Sequence, residues 1–189
     1  MQVFLIRHPR PLIEEGICYG RLDVDAEDPQ ASAARLRTLL PAGIPVIASP
    51  LQRARRLAKA LHPQAQLDER LMEIDFGDWE GRRWAEIDRA LLDAWAADVL
   101  HFVPPGGESA AMLQGRVREF AASLAGKSSA GDAVALVTHS GVMRALLGHW
   151  LELPVDEWSQ LKFEFGRATL LELENGKTGG KAALRYTNR

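Results

Sequence analysis

A chain of 189 residues with 47% hydrophobic and 25% charged residues can bury a core of its own, and residues 1–189 read as one domain. Its formal net charge of −2 points to neither a nucleic-acid nor a membrane partner, and no apolar run approaches the ~20 residues that span a bilayer. Cys18 is the only cysteine, which excludes an intrachain disulfide. With no basic segment leading into a long apolar stretch at the N-terminus, the expectation is a cytoplasmic protein. Nothing in the sequence signals an oligomeric state.

Residues 3–6 are a short apolar run that breaks into Arg7-His8-Pro9-Arg10-Pro11. Such a run, bounded by a breaker, reads as a fully buried strand. Arg7 and His8 then stand at its carboxyl end, where open α/β sheets bind ligands. A guanidinium offers a planar fork of donors and a neutral imidazole is a nucleophile, so the pair suits a phosphate. Residues 9–27 are irregular and long enough to be a functional loop. They contain Gly16-Ile17-Cys18-Tyr19-Gly20-Arg21-Leu22-Asp23.

Asp28-Pro29 predicts an N-cap and a first helical position, with Ala33, Leu36 and Leu40 on the apolar side. Residues 45–48 are a second short strand. Ser49 with Gln52 three residues on predicts a capping box, with Pro50 at the first helical position. A helix N-terminus directly after a strand predicts an anion site. Leu57 and Leu61 mark the buried side of this helix. Arg53 borders that side, whereas Arg55, Arg56 and Lys59 face solvent.

Residues 71–81 mix acids, aromatics and glycines without a period and read as a loop. Glu73 follows an apolar pair there, a setting that draws a carboxyl away from bulk water. Residues 84–97 predict a helix with Ile87, Leu91, Leu92 and Trp95 at apolar positions. A turn at 104–109 leads to a helix striped by Leu113, Val117, Phe120 and Leu124. Residues 133–138 are a third buried strand, followed at once by His139-Ser140-Gly141 and a helix carrying Val142, Ala145, Leu146 and Trp150. This is a second strand-end histidine before a helix start. A short helix at 155–161, strands over 163–174 bending at Gly166, a polar tail from Gly176 and an edge strand at 183–186 complete the expectation.

The order Leu-Ile-Arg-His, Ser-Pro-Leu-Gln-Arg-Ala, Glu-Ile-Asp-Phe-Gly-Asp-Trp-Glu-Gly and Val-Thr-His-Ser-Gly resembles the histidine phosphatase superfamily over residues 3–151. This is the family of phosphoglycerate mutases and related acid phosphatases. The resemblance implies a three-layer α/β/α sandwich with a mostly parallel sheet. It implies that His8 is the phosphorylated nucleophile, that Arg7 and Arg53 bind the phosphoryl group, and that Glu73 is the proton donor. His139, with Ser140 beside it, completes the phosphate pocket. The charges of Arg7 and Arg53 should lower the pKa of His8, while either charge state of His139 serves. No cofactor is implied. His62, His101 and His149 are isolated and no cluster has metal-ligand spacing, so no metal is expected.

The chain departs from the family in having Pro9 where glycine is usual, which removes an N–H and fixes φ. The usual threonine and asparagine a few residues on are Pro11 and Glu14. Pro9, together with the Gly-Ile-Cys-Tyr-Gly-Arg-Leu-Asp loop, resembles the α-ribazole phosphatase branch, which acts in cobalamin nucleotide-loop assembly. The expectation is a hydrolase of small-molecule phosphomonoesters acting through phosphohistidine, with α-ribazole 5′-phosphate as the narrower substrate. A phosphoglycerate mutase-type phosphotransferase and a catalytically weak phosphate-binding module are the rivals. Mutases of the family are generally longer, and a dead site would normally have lost His8 or Glu73.

Overall fold

The computed structural model describes residues 1–125, 132–174 and 182–189. Its centre is β1 (Gln2–Arg7), whose four apolar residues are all buried. Because side chains alternate across a strand, Val3 and Leu5 enter one core and Phe4 and Ile6 the other. Each such side chain stabilises the fold by about 1.5–3 kcal/mol relative to exposure. One core packs α1 (Gln30–Arg37) and α2 (Gln52–Leu61) on one face of the sheet. The other packs α4 (Ala110–Ala125) and α5 (Ser140–Trp150) on the opposite face. The result is the expected three-layer sandwich.

The remaining strands are β2 (Val46–Ala48), β3 (Gln66–Leu67), β4 (Ala133–Thr138), β5 (Ala168–Leu173) and β6 (Ala182–Tyr186), in the sheet order β3-β2-β4-β1-β5-β6. The first four in that order run parallel, and β5 and β6 join antiparallel at the β1 side. β6 is the edge strand expected from the sequence, while residues 176–181 of the polar tail lie outside the described residues. Register places Arg7 opposite Thr138, so the residues that follow, His8 and His139, leave adjacent strand ends together.

Four boundaries differ from the sequence reading. The α2 helix starts at Gln52 rather than Pro50, and the capping box does not form. Ser49 Oγ instead accepts from Leu51 N at 3.3 Å, and Asp23 accepts from the Gln52 amide at 2.7 Å. The anion at this helix N-terminus is therefore the chain's own loop carboxylate. Between residues 84 and 97 the helix is broken. A 3₁₀ turn at Trp84–Glu86 precedes α3 (Arg89–Ala97), because Asp88 takes the Ala90 amide and caps a new start. Ile87, left outside the helix, is buried in a satellite core with Cys18 and Trp79, while Leu91 is exposed. Leu40 lies beyond the end of α1. Residues 163–167 form a turn before β5, with Gly166 at φ +65°. Among the described residues, no helix is long and apolar enough to cross a membrane.

Candidate active site

The site is built at the carboxyl ends of β1 and β4. The His8 amide donates to Thr138 O at 3.0 Å, which extends the strand pairing by one residue and fixes the histidine backbone. The His8 side chain is buried, and Nδ1 lies 2.6 Å from the Pro9 carbonyl. A carbonyl only accepts, so Nδ1 carries the proton and Nε2 keeps its lone pair. Pro9, which has no N–H to give, thus contributes its carbonyl.

The His8 pKa lies well below the ordinary histidine value. Burial is the main cause, the Arg53 and Arg7 charges add to it, and the bond to Pro9 opposes it. The arginines therefore act as the sequence predicts, but desolvation is the larger effect.

His139 lies with its ring centre 5.0 Å from that of His8 and is fully buried. Its Nε2 is 2.8 Å from Ser49 Oγ. That hydroxyl accepts from Leu51 N and still has its own hydrogen to give to Nε2, an arrangement that leaves the His139 proton on Nδ1. Burial and the neighbouring positive groups keep this ring neutral, and Nδ1 is buried with no hydrogen-bond partner among the described residues.

Arg7 is anchored on the other side. Its Nη1 donates to Phe163 O at 2.7 Å, and its guanidinium lies 3.6 Å over the Phe165 ring, which also stands 5.5 Å from His8. Arg53 is only 1% exposed and donates to the carbonyls of Gly20 and Leu22. These carbonyls are available because the loop lies flat on residues 74–80. A Cβ at Gly20 would come 1.9 Å from Ile74 O. Glu80 ties the two segments by accepting the amides of Arg21, Leu22 and Phe76. Arg7 and Arg53 each retain a buried Nε–H with no partner among the described residues. An unsatisfied buried donor is costly, and both of these belong to guanidiniums whose charge reaches His8.

Glu73 comes to the same place from the 71–81 loop. Its Oε2 accepts from Gly141 N and its Oε1 from Ile74 N, both at 3.1 Å. The backbone carrying it is clamped by Arg116 of α4, which donates to the carbonyls of Arg70, Met72 and Glu73 at 2.8, 2.7 and 3.0 Å. Arg116 is itself held by a two-point pair with buried Glu108. The residues of the 104–109 turn thus brace Glu73, a function the sequence reading did not assign to them.

A solvent-open cleft of about 250 Å³ is lined by Arg7, His8, Glu73 and Ser140, which the sequence singled out. Arg53 and His139 do not reach its wall. They lie in the buried layer close to His8. The cleft also takes Ile17, Tyr19, Ile74, Phe76, Trp84, Gly141 and Arg144, which the sequence reading missed. Tyr19 sits in the quoted loop motif, with Arg53 5.5 Å from its ring centre. Arg144 was legible as the residue one helical turn after Ser140. Pro11 and Glu14 stay away from the cleft: Pro11 bridges Ala26 and Glu14 pairs with Arg83. Among the described residues, no three His, Cys, Asp or Glu side chains gather as a metal-binding group.

An imidazole with a free nitrogen, two guanidiniums and a carboxyl around one small cleft have the composition of a phosphoryl-transfer site on an α/β sandwich. The chain belongs to the histidine phosphatase superfamily (branch 1), whose family model matches residues 3–186, and it is a phosphatase. It is 31% identical to a glucosyl-3-phosphoglycerate phosphatase of Mycolicibacterium vanbaalenii, over 98% of this chain and 91% of the relative. It is 29% identical to the adenosylcobalamin/α-ribazole phosphatase of Salmonella typhimurium, over 93% and 92%. Among solved structures, the α-ribazole phosphatase from Shigella flexneri superposes with a TM-score of 0.86 at 26% identity, covering 100% of this chain and 96% of that one. A mycobacterial glucosyl-3-phosphoglycerate phosphatase gives 0.85 at 26%, covering 99% and 98%.

Proposed function

We propose that the cleft hydrolyses a phosphomonoester in two steps, with the phosphoryl group held in between on His8 Nε2. The observation that carries this reading is the Nδ1–H bond to the Pro9 carbonyl at 2.6 Å in a buried, neutral ring. It leaves Nε2 as a nucleophile without any base to prepare it.

In the first step Nε2 attacks phosphorus, and the acid form of Glu73 gives its proton to the departing oxygen. Arg7 and Arg53 bear the charge of the non-bridging oxygens, and the His139 Nδ1–H and Ser140 complete their hydrogen bonding. In the second step the Glu73 carboxylate takes a proton from water as the water attacks phosphohistidine. Inorganic phosphate leaves and His8 returns to its neutral form. The cleft opens to solvent, which favours water over a second substrate as the acceptor. A second reading takes α-ribazole 5′-phosphate as the substrate, as in the Salmonella relative. Tyr19, Phe76 and Trp84 line the cleft and offer flat faces to a ring.

The test is a rapid quench with p-nitrophenyl phosphate. Wild-type protein should carry acid-labile, alkali-stable phosphate during turnover, and His8→Ala should carry none. Glu73→Gln should still release a burst of nitrophenol while the phosphoenzyme accumulates. On an alkyl phosphate the same variant should slow by about 10²–10⁴-fold, because an alkoxide needs the proton. Equal slowing of both substrates without a burst would move the proton-transfer role to Asp75, Asp78 or Glu80.

A further inference from the structure

The cleft contains one cation that the two-step chemistry does not use. Arg144 follows Ser140 by four residues on α5, so both point from one helix face into the cleft. Its Nε is a buried donor with no partner, and among the described residues no carboxylate pairs with it. Arg21, Arg70, Arg83 and Arg116, by contrast, each have an acidic partner. Among the described residues, Glu73 is the only carboxylate on the cleft wall, and its two oxygens already accept backbone amides. Arg144 also lies near enough to Arg7 to oppose its charge, an arrangement that disfavours the free protein.

Charge balance assigns the missing partner. Arg7 and Arg53 together match the two charges of a phosphate dianion, which leaves the guanidinium of Arg144 for a second anionic group of the substrate. A guanidinium fork fits a planar carboxylate at two points. A cleft of about 250 Å³ has room for a small alcohol that carries it.

We propose that Arg144 binds a carboxylate on the alcohol half of the substrate, so that the preferred substrates are phosphomonoesters of small hydroxy acids. The inference rests on the phosphatase reading of the cleft. It goes against the ribazole reading, because α-ribazole 5′-phosphate has no anion besides its phosphoryl group.

The experiment compares 3-phosphoglycerate with glycerol 3-phosphate, which replaces the carboxylate by a hydroxymethyl group. The ratio of their kcat/KM values is measured in wild type, Arg144→Gln and Arg144→Lys, with folding checked by circular dichroism. Wild type should favour the carboxylate by tenfold or more. Arg144→Gln should lower the ratio about 10–100-fold, mostly through KM, as loss of a charged hydrogen bond does. Arg144→Lys should keep part of the preference, and it provides the reading if the glutamine variant does not fold.

The inference is overturned by a wild-type ratio near one, or by a ratio that Arg144→Gln leaves unchanged. It is equally overturned if both substrates and p-nitrophenyl phosphate fall together, which would put Arg144 on the transferring phosphoryl group. A higher kcat/KM on propane-1,3-diol bisphosphate than on 3-phosphoglycerate would make the anion a phosphate. A higher value on α-ribazole 5′-phosphate, insensitive to Arg144→Gln, would restore the ribazole reading. Absence of any wild-type, His8-dependent turnover of p-nitrophenyl phosphate would instead strike the phosphatase reading itself.

Discussion

Gly141→Ala adds one methyl group to α5 and should disable the proton transfer assigned to Glu73. A Cβ built at residue 141 falls 2.3 Å from Glu73 Oε1 and 3.2 Å from its carboxyl carbon. Ordinary contact begins near 3.4 Å, so the carboxylate has to give way by about 1 Å. That shift strains the bonds from Ile74 N and Gly141 N that aim it. A misplacement of this size costs about 10²-fold in rate, which is the lower end of what a general acid supplies. Stability should not fall in proportion, since alanine in place of glycine favours a helix by about 0.5–1 kcal/mol. Gly115→Ala on α4 is the control, because nothing lies within 4 Å of its added Cβ. The assay is steady-state hydrolysis of an alkyl phosphate beside urea unfolding of each variant. Gly115→Ala should be as active as wild type. A Gly141→Ala enzyme with kcat within threefold of wild type would refute the placement of Glu73 as the proton donor.

Two further outcomes follow from the same geometry. Arg53→Ala should lower kcat/KM by about 10²–10³-fold, the cost of removing one preorganised donor. Arg56→Ala, which breaks only an exposed pair with Asp25, should change it less than about threefold. Both variants remove one positive charge from α2, so equal losses in a kinetic comparison would reduce Arg53 to a generic cation. Acid should also weaken the fold. Burial holds His8 and His139 well below the ordinary value of 6.5, with His149 shifted the same way. The folded state then binds fewer protons than the unfolded chain, so the stability these groups contribute is complete above about pH 6.5 and is lost as pH falls. Two such groups give a slope of about 2.7 kcal/mol per pH unit once the unfolded histidines are charged. Urea unfolding between pH 7.5 and 5 measures it, and a flat profile would contradict the neutral, buried assignment.

Local rules were enough for the parts of this protein that are locally encoded. The apolar runs at 3–6 and 133–138, each cut off by a polar breaker, specify two buried strands whose ends carry Arg7-His8 and His139-Ser140. Four motifs in order specify the family. Periodicity also placed Arg53 beside the buried side of its helix, since a 3.6-residue repeat is a local property. The helix starts at 52 and 89 were not legible, because caps depend on which side chain reaches an amide first. Asp23, 29 residues from Gln52, takes the place expected for Ser49, and nothing near Ser49 records that. The same holds for Glu73. Its loop has no period, and its position comes from Gly141 and Arg116, which contact it only after α4 and α5 pack on the sheet, and from Glu108, which holds Arg116. Tyr19, Trp84 and Arg144 share a cleft wall although 125 residues separate the first from the last, because parallel strand pairing converts distant sequence into adjacent space. Residue identity determined which chemistry was available. Tertiary packing decided which groups face one another, and it left Arg144 in the cleft with no carboxylate beside it among the described residues.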